Sequence, residues 1–149
     1  NRWIWGDEQA ILEAAPCYIA LGYGELDPAA KEIRAIERHR AETIQDVYHW
    51  SRRDGAQMRI FSGQIGLLHP EDPVPFYDHR LAASEVSSMA ARLAGQIRSQ
   101  GLKKVVLYTP TLHEHPWAMI YLGCLLVAAG MLEGVKVEHR EIIEETIES

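Results

Sequence analysis

The strongest constraint on this chain is a repeating order: short apolar runs closed by glycine, serine or proline, separated by stretches of helical periodicity. Pro16-Cys-Tyr-Ile-Ala-Leu21 ends at Gly22, Met58-Arg-Ile-Phe61 at Ser62-Gly63, and Lys104-Val-Val-Leu-Tyr-Thr109 at Pro110. Each reads as a buried strand. Asp27-Pro28 supplies an N-cap and a first-turn proline, and Ile33, Ile36, Ile44, Val47 and Tyr48 then recur at helical spacing, which predicts a helix reaching Arg52 or Arg53. Val86, Met89, Ala90, Leu93 and Ile97 predict another over 84–99, and an apolar helix runs from Pro116 to Gly130. Gly134 to Arg140 alternates like an edge strand. Pro70, Pro73 and Pro75 make their connection unfit for helix or central strand. Strands joined through long helices need crossovers, so the sheet is mostly parallel. The expected fold is α/β: a single three-layer domain over 1–149, with a mostly parallel sheet and helices on both faces. Its core spans 15–132, and 133–149 form an edge strand and acidic tail.

Composition agrees with one packed domain. At 149 residues and 47% hydrophobic, the chain can bury a core. Cys17 and Cys124 sit in apolar surroundings and read as reduced, buried thiols. The net charge of −6 argues against nonspecific polyanion binding. Residues 133–149 hold 6 acidic and 2 basic side chains of the totals of 21 and 15, so most of that excess lies in the last strand and tail. The chain opens on Asn1 with no apolar leader, as expected for a processed chain or a fragment of a cytoplasmic protein. Trp117 to Leu132 carries no charge but is short of the ~20 residues of a membrane span. A helix apolar on every face needs cover from sheet, helix or a second copy, so a homo-oligomer packed through 117–132 is one expectation.

Open parallel sheets bind ligands beyond the carboxyl ends of their strands. Three loops lie there: Gly22-Tyr23-Gly24-Glu25, the segment from Ser62-Gly63-Gln64-Ile65-Gly66 to Tyr77-Asp78-His79-Arg80, and Thr109 to His115. Gly63 and Gly66 allow a ligand to approach the main chain, and Ser62-Gly63 can present N–H groups to an anion. No phosphate-loop lysine, dinucleotide glycine triplet or nucleophile elbow is present.

The segment from Phe61-Ser-Gly-Gln-Ile-Gly-Leu-Leu-His-Pro to Phe76-Tyr-Asp-His-Arg-Leu81 resembles a signature of two related groups. One comprises domains of unknown function similar to the archaeosine-synthase core; the other is the YaaA-type peroxide-stress proteins. Ser62, Gly63, Gly66, Leu67, Leu68, Pro70, Asp72, Tyr77, Asp78 and Leu81 match, and Tyr77-Asp78 is closer to the first group. The first strand differs, carrying Leu21-Gly-Tyr-Gly-Glu25 where those groups have Ser-Cys or Ser-Pro-x-Lys. The resemblance implies a nucleobase or nucleic-acid context.

These readings converge on a small nucleotide- or nucleobase-like ligand, or nucleic acid, with no membrane partner. Gly22, Tyr23, Gly24, Ser62, Gly63, Gly66, Asp72, Tyr77 and Arg80 are the expected binding residues, and Asp78 and His113 the candidate proton carriers. No cofactor is specified. A competing expectation is a metal-dependent enzyme, in which His113 and His115 combine with an acid or imidazole such as Asp78, Asp72, His69 or His79. Lys31, Arg34 and Arg38, with His39, Arg40, Arg52 and Arg53 beyond, form a basic stripe. The interleaved Glu32, Glu37 and Glu42 make it read as a solvated, salt-bridged helix face. Trp50, beside Arg52, reads as core or interface.

Overall fold

The computed structural model describes residues 15–143; the opening segment and the end of the acidic tail lie outside them. Its elements, in chain order, are β1 (Cys17–Leu21), β2 (Ile33–Arg34), α1 (Ala35–Arg38), α2 (Glu42–Asp54), β3 (Gln57–Ser62), β4 (Gly66–Leu68) and β5 (Pro73–Val74). A short 3-10 turn at Ala83–Glu85 then leads into α3 (Val86–Gln100), β6 (Lys104–Pro110), α4 (Ala118–Gly130) and β7 (Lys136–Ile142). The main sheet has the order β4-β3-β1-β6-β7, while β2 and β5 form a separate antiparallel pair. Within the main sheet β1 pairs parallel with β3 and β6, and β6 with β7; only β4 is antiparallel. This is the expected α/β fold with a mostly parallel sheet.

Side-chain alternation along β1 divides the core. Cys17, Ile19 and Leu21 join Phe61, Leu93, Leu107 and Leu125 on one face. Tyr18 and Ala20 join Ile44, Val47, Ile60 and Val106 on the other. The first face carries α3 and α4 and the second carries α2, which completes three layers. The predicted helices over 84–99 and 116–130 appear with their ends moved by a few residues, and α2 and α3 both stop at left-handed glycines, Gly55 and Gly101.

The long helix expected from Asp27 does not form. Ile33 and Ile36 fit helical spacing, but backbone hydrogen bonds in this stretch run to distant residues. Asp27 N–H donates to Arg38 O, Ala35 N–H to Asp72 O and Ile36 N–H to Pro70 O. Asp27 Oδ1 accepts from Ala29 N–H, so its side chain closes a local turn instead of capping a helix. Arg38 holds the loop from inside: its guanidinium is fully buried and donates to the carbonyls of Asp27, Ala29, Lys31 and Val74. The basic stripe is therefore not one helix face. Arg38 is core, Arg34 bridges Glu37 and Glu71, and Arg40 bridges Glu25 and Asp27.

Chain order fixes where a ligand would sit. From β1 the chain crosses through α2 to β3; from β3 it returns through α3, past β1, to β6 on the other side. The chain leaves β1 toward β3 through α2 and leaves β6 toward β7 through α4, on opposite faces, so the switch point lies between the carboxyl ends of β1 and β6.

Candidate functional site

At the switch point the loop after β1 meets the loop after β6. Tyr23 and Trp117 bring their rings to 5.0 Å, and the Tyr23 hydroxyl lies 2.9 Å from Thr43 Oγ1 at the start of α2. Arg80 places its guanidinium carbon 4.5 Å from the Trp117 ring centre. Tyr121 and His115 pack edge-on against the same indole, at 5.7 and 6.2 Å.

The segment that delivers Arg80 depends on Gly63. A Cβ there would stand 2.7 Å from both His79 O and Leu81 N, and 2.8 Å from the Tyr121 hydroxyl. The missing side chain lets residues 79–81 cross directly over the end of β3. Leu81 N–H donates to the Tyr121 hydroxyl at 2.9 Å while its side chain enters the core. Arg80, its neighbour, is exposed and rests on Trp117. No carboxylate among the described residues pairs with it.

The other signature residues face inward. Ser62 is fully buried, and its Oγ accepts from the Gln64 and Ile65 N–H groups at 3.1 Å, closing the turn into β4. Tyr77 is buried beside it, with burial pushing the phenol to about 12 against the opposing hydrogen bond from Ser62. Gly66 has φ 98° and holds the hairpin under Gln96, whose Oε1 accepts from Leu67 N–H at 2.9 Å. Asp72 accepts from His69 N–H through Oδ2, and its carbonyl ties down α1. Gly22 packs between His39 and Phe61, and Gly24 against Ala41. Of the expected binding residues, Tyr23 and Arg80 both meet Trp117, and Gly63 leaves room for the segment that carries Arg80.

Asp78 and His113 are exposed, and His115 is half-buried against Trp117. Among the described residues no three His, Cys, Asp or Glu side chains gather as a metal site, so the His113–His115 pair finds no third ligand. His79 instead bonds Glu85 at 2.9 Å. Burial raises both Cys17 and Cys124 to about 11, which leaves them as thiols.

Trp117 is the site residue that sequence reasoning missed, because it reads there as the start of an apolar helix. The available signal was position: an aromatic in the loop after a central strand. Thr43, which meets the Tyr23 hydroxyl, also lines a groove of about 630 Å³ walled by Trp50, Tyr108 and Arg140. Trp50 packs on Tyr108 at 5.4 Å, and Arg140 donates to the Tyr108 hydroxyl at 3.0 Å. Register explains the last contact, since Tyr108 and Arg140 are direct partners on β6 and β7.

The fold and site define an α/β domain with an aromatic and cationic cluster at its switch point. No protein-family model matches the chain, and no curated protein matches it. Among solved structures it is similar to a tryptophan-to-phenylalanine mutant of creatininase, at 14% identity and TM-score 0.46, over 92% of this chain and 56% of that one. A second creatininase mutant, of type II, gives 14% identity and TM-score 0.44 over 92% and 55%. The chain thus spans about half the length of these proteins. No helix among the described residues is long and apolar enough to cross a membrane.

Proposed function

We propose that this chain binds a nucleotide- or nucleobase-like ligand at the cluster between the loops after β1 and β6. The observation that carries the reading is Arg80, held 4.5 Å over Trp117 with no carboxylate partner at the switch point. An indole face orients a guanidinium while leaving its N–H edge open, and that edge suits the oxygens of a phosphate or carboxylate. Tyr23 and Trp117 supply aromatic surface at the same place for a planar base. The likeness of residues 61–81 to the archaeosine-synthase core and YaaA-type signature supports a nucleobase or nucleic-acid context, in the cytoplasm. Asp78 and His113 are the exposed groups available for proton transfer if the site carries out chemistry.

The test is a thermal-shift screen of nucleobases, nucleoside mono-, di- and triphosphates and tRNA, read in parallel by tryptophan fluorescence. A ligand of the folded state raises Tm by mass action. The expected result is a Tm rise with at least one of these compounds that Arg80→Ala removes. No rise with any of them, or a rise that survives Arg80→Ala, overturns the reading.

A further inference from the structure

The face of α4 that points away from the sheet is apolar. Met119, Leu126, Val127 and Met131 are all between 47% and 57% exposed, and no charged residue occurs from Trp117 to Leu132. Four residues on this helix recur at steps of four, three and four: Met119, Gly123, Leu126 and Gly130. That is the spacing of one helical seam, with large and absent side chains alternating along it. The glycines are open, with nothing within 4 Å of where a Cβ would stand at Gly123 or Gly130.

We infer that this face is closed by a second copy of the same chain, in an antiparallel helix pair about a two-fold axis. One register satisfies the whole seam. It sets Met119 over the partner's Gly130 and Leu126 over the partner's Gly123, and two-fold symmetry repeats both contacts in reverse. A bulky side chain seats where a glycine leaves room, so the two helix backbones approach closely. Antiparallel order also places the positive end of each helix dipole beside the partner's negative end and the partner's Glu133.

The neighbouring helix widens the contact. On α3, Ser87, Ala91 and Gly95 are small and exposed, and the exposed Arg98 lies near Leu132 and Glu133 at the end of α4. Two helices about 22 Å long and about 10 Å apart present on the order of 400 Å² in projection. A surface of that extent falls short of the ~800 Å² of accessible area per partner that a standard interface buries, and belongs with weak, transient contacts. The dimer is therefore reversible and concentration-dependent.

Sedimentation velocity on the full chain tests this. The expected mass rises from 16.8 kDa toward twice that value as concentration increases. Leu126→Glu, at a half-exposed position that does not endanger the fold, should weaken association at least about tenfold, or ~1.4 kcal/mol. Gly123→Met separates seam packing from simple stickiness. It adds apolar surface and helix propensity, yet it fills the notch and should also weaken the dimer about tenfold. Phe76→Glu, on an exposed apolar residue elsewhere, should leave association unchanged. A wild-type chain that stays at 16.8 kDa at the highest concentration overturns the inference, as does Gly123→Met associating as tightly as wild type or more so.

Discussion

The Tyr77 hydroxyl stands 2.5 Å from Nε2 of His39, and both residues are buried. The direction of this bond follows from the other ring nitrogen. Nδ1 of His39 lies 2.9 Å from Ala35 O, which can only accept, so Nδ1 carries the proton and Nε2 accepts from Tyr77. The pair ties the Pro-rich connection to α1 beneath the end of β1. Tyr77→Phe keeps the ring but leaves a buried imidazole nitrogen unpaired. We expect a loss of about 1–3 kcal/mol in urea denaturation with an unchanged m-value.

The same arrangement sets an acid limit. Burial, opposed by the Ala35 hydrogen bond, pushes the His39 pKa below its usual value, so His39 is neutral in the fold. The unfolded chain takes up this proton as pH falls below about 6.5 and the folded chain does not, so stability drops from there downward. Asp54, held at about 2 first by Arg53 and then by Tyr18, acts lower. Its stabilisation is full above the ordinary carboxylate range and is lost only as pH falls through that range toward its folded value. Between about pH 6.5 and 5 His39 therefore adds to the slope. Denaturation at a series of pH values should show a shallower slope in that window for His39→Gln than for wild type.

Gly63→Ala tests the path by which sequence sets the cluster at the switch point. The added methyl would lie 2.7 Å from His79 O and Leu81 N, both main-chain atoms, so the 79–81 segment must move. Overpacking of this kind costs about 1–3 kcal/mol. It should also lift Arg80 off Trp117, seen as a change in tryptophan emission. Arg80→Ala should give a similar spectral change with a stability loss within about 0.5 kcal/mol, because Arg80 is exposed.

The strands of the sheet core were legible because a buried parallel strand is a continuous apolar run, as in Tyr18 to Leu21 and Val105 to Tyr108. β4 was not, since Gly66–Leu68 is three residues and its pairing depends on Ser62 and Gln96, which no local pattern reveals. The helix predicted from Asp27 failed for a related reason. Apolar spacing over Ile33, Ile36 and Ile44 cannot show that Arg38 is buried among carbonyls from two separate segments. At the site, the strand-end loops could be delimited from the sequence, but which side chains turn outward was not written locally. Tyr77 and Ser62 turn in toward His39 and the β4 hairpin, while Trp117 and Arg80 meet across the sheet end.

Arg38 yields the sharpest prediction about the irregular segment between β1 and α2. Its terminal nitrogens reach four carbonyls: Asp27 at 2.5 Å, Ala29 at 2.7 Å, Lys31 at 2.7 Å and Val74 at 3.3 Å. Residues 27–32 are irregular, and the β2–β5 pairing that follows is only two residues long, so this buried cation is their main organiser. Arg38→Met preserves apolar packing but leaves those carbonyls without their donors inside the fold. Removing a buried charged donor from its partners costs on the order of 3 kcal/mol or more. Arg38→Lys keeps the charge, but one ammonium on a flexible stem has three donors and cannot span the fork that meets four acceptors. Both variants should destabilise, with Lys retaining only part of the loss. Hydrogen exchange should show residues 27–34 losing protection while β1, β3 and β6 keep theirs, and a uniform loss across the sheet would contradict this local role.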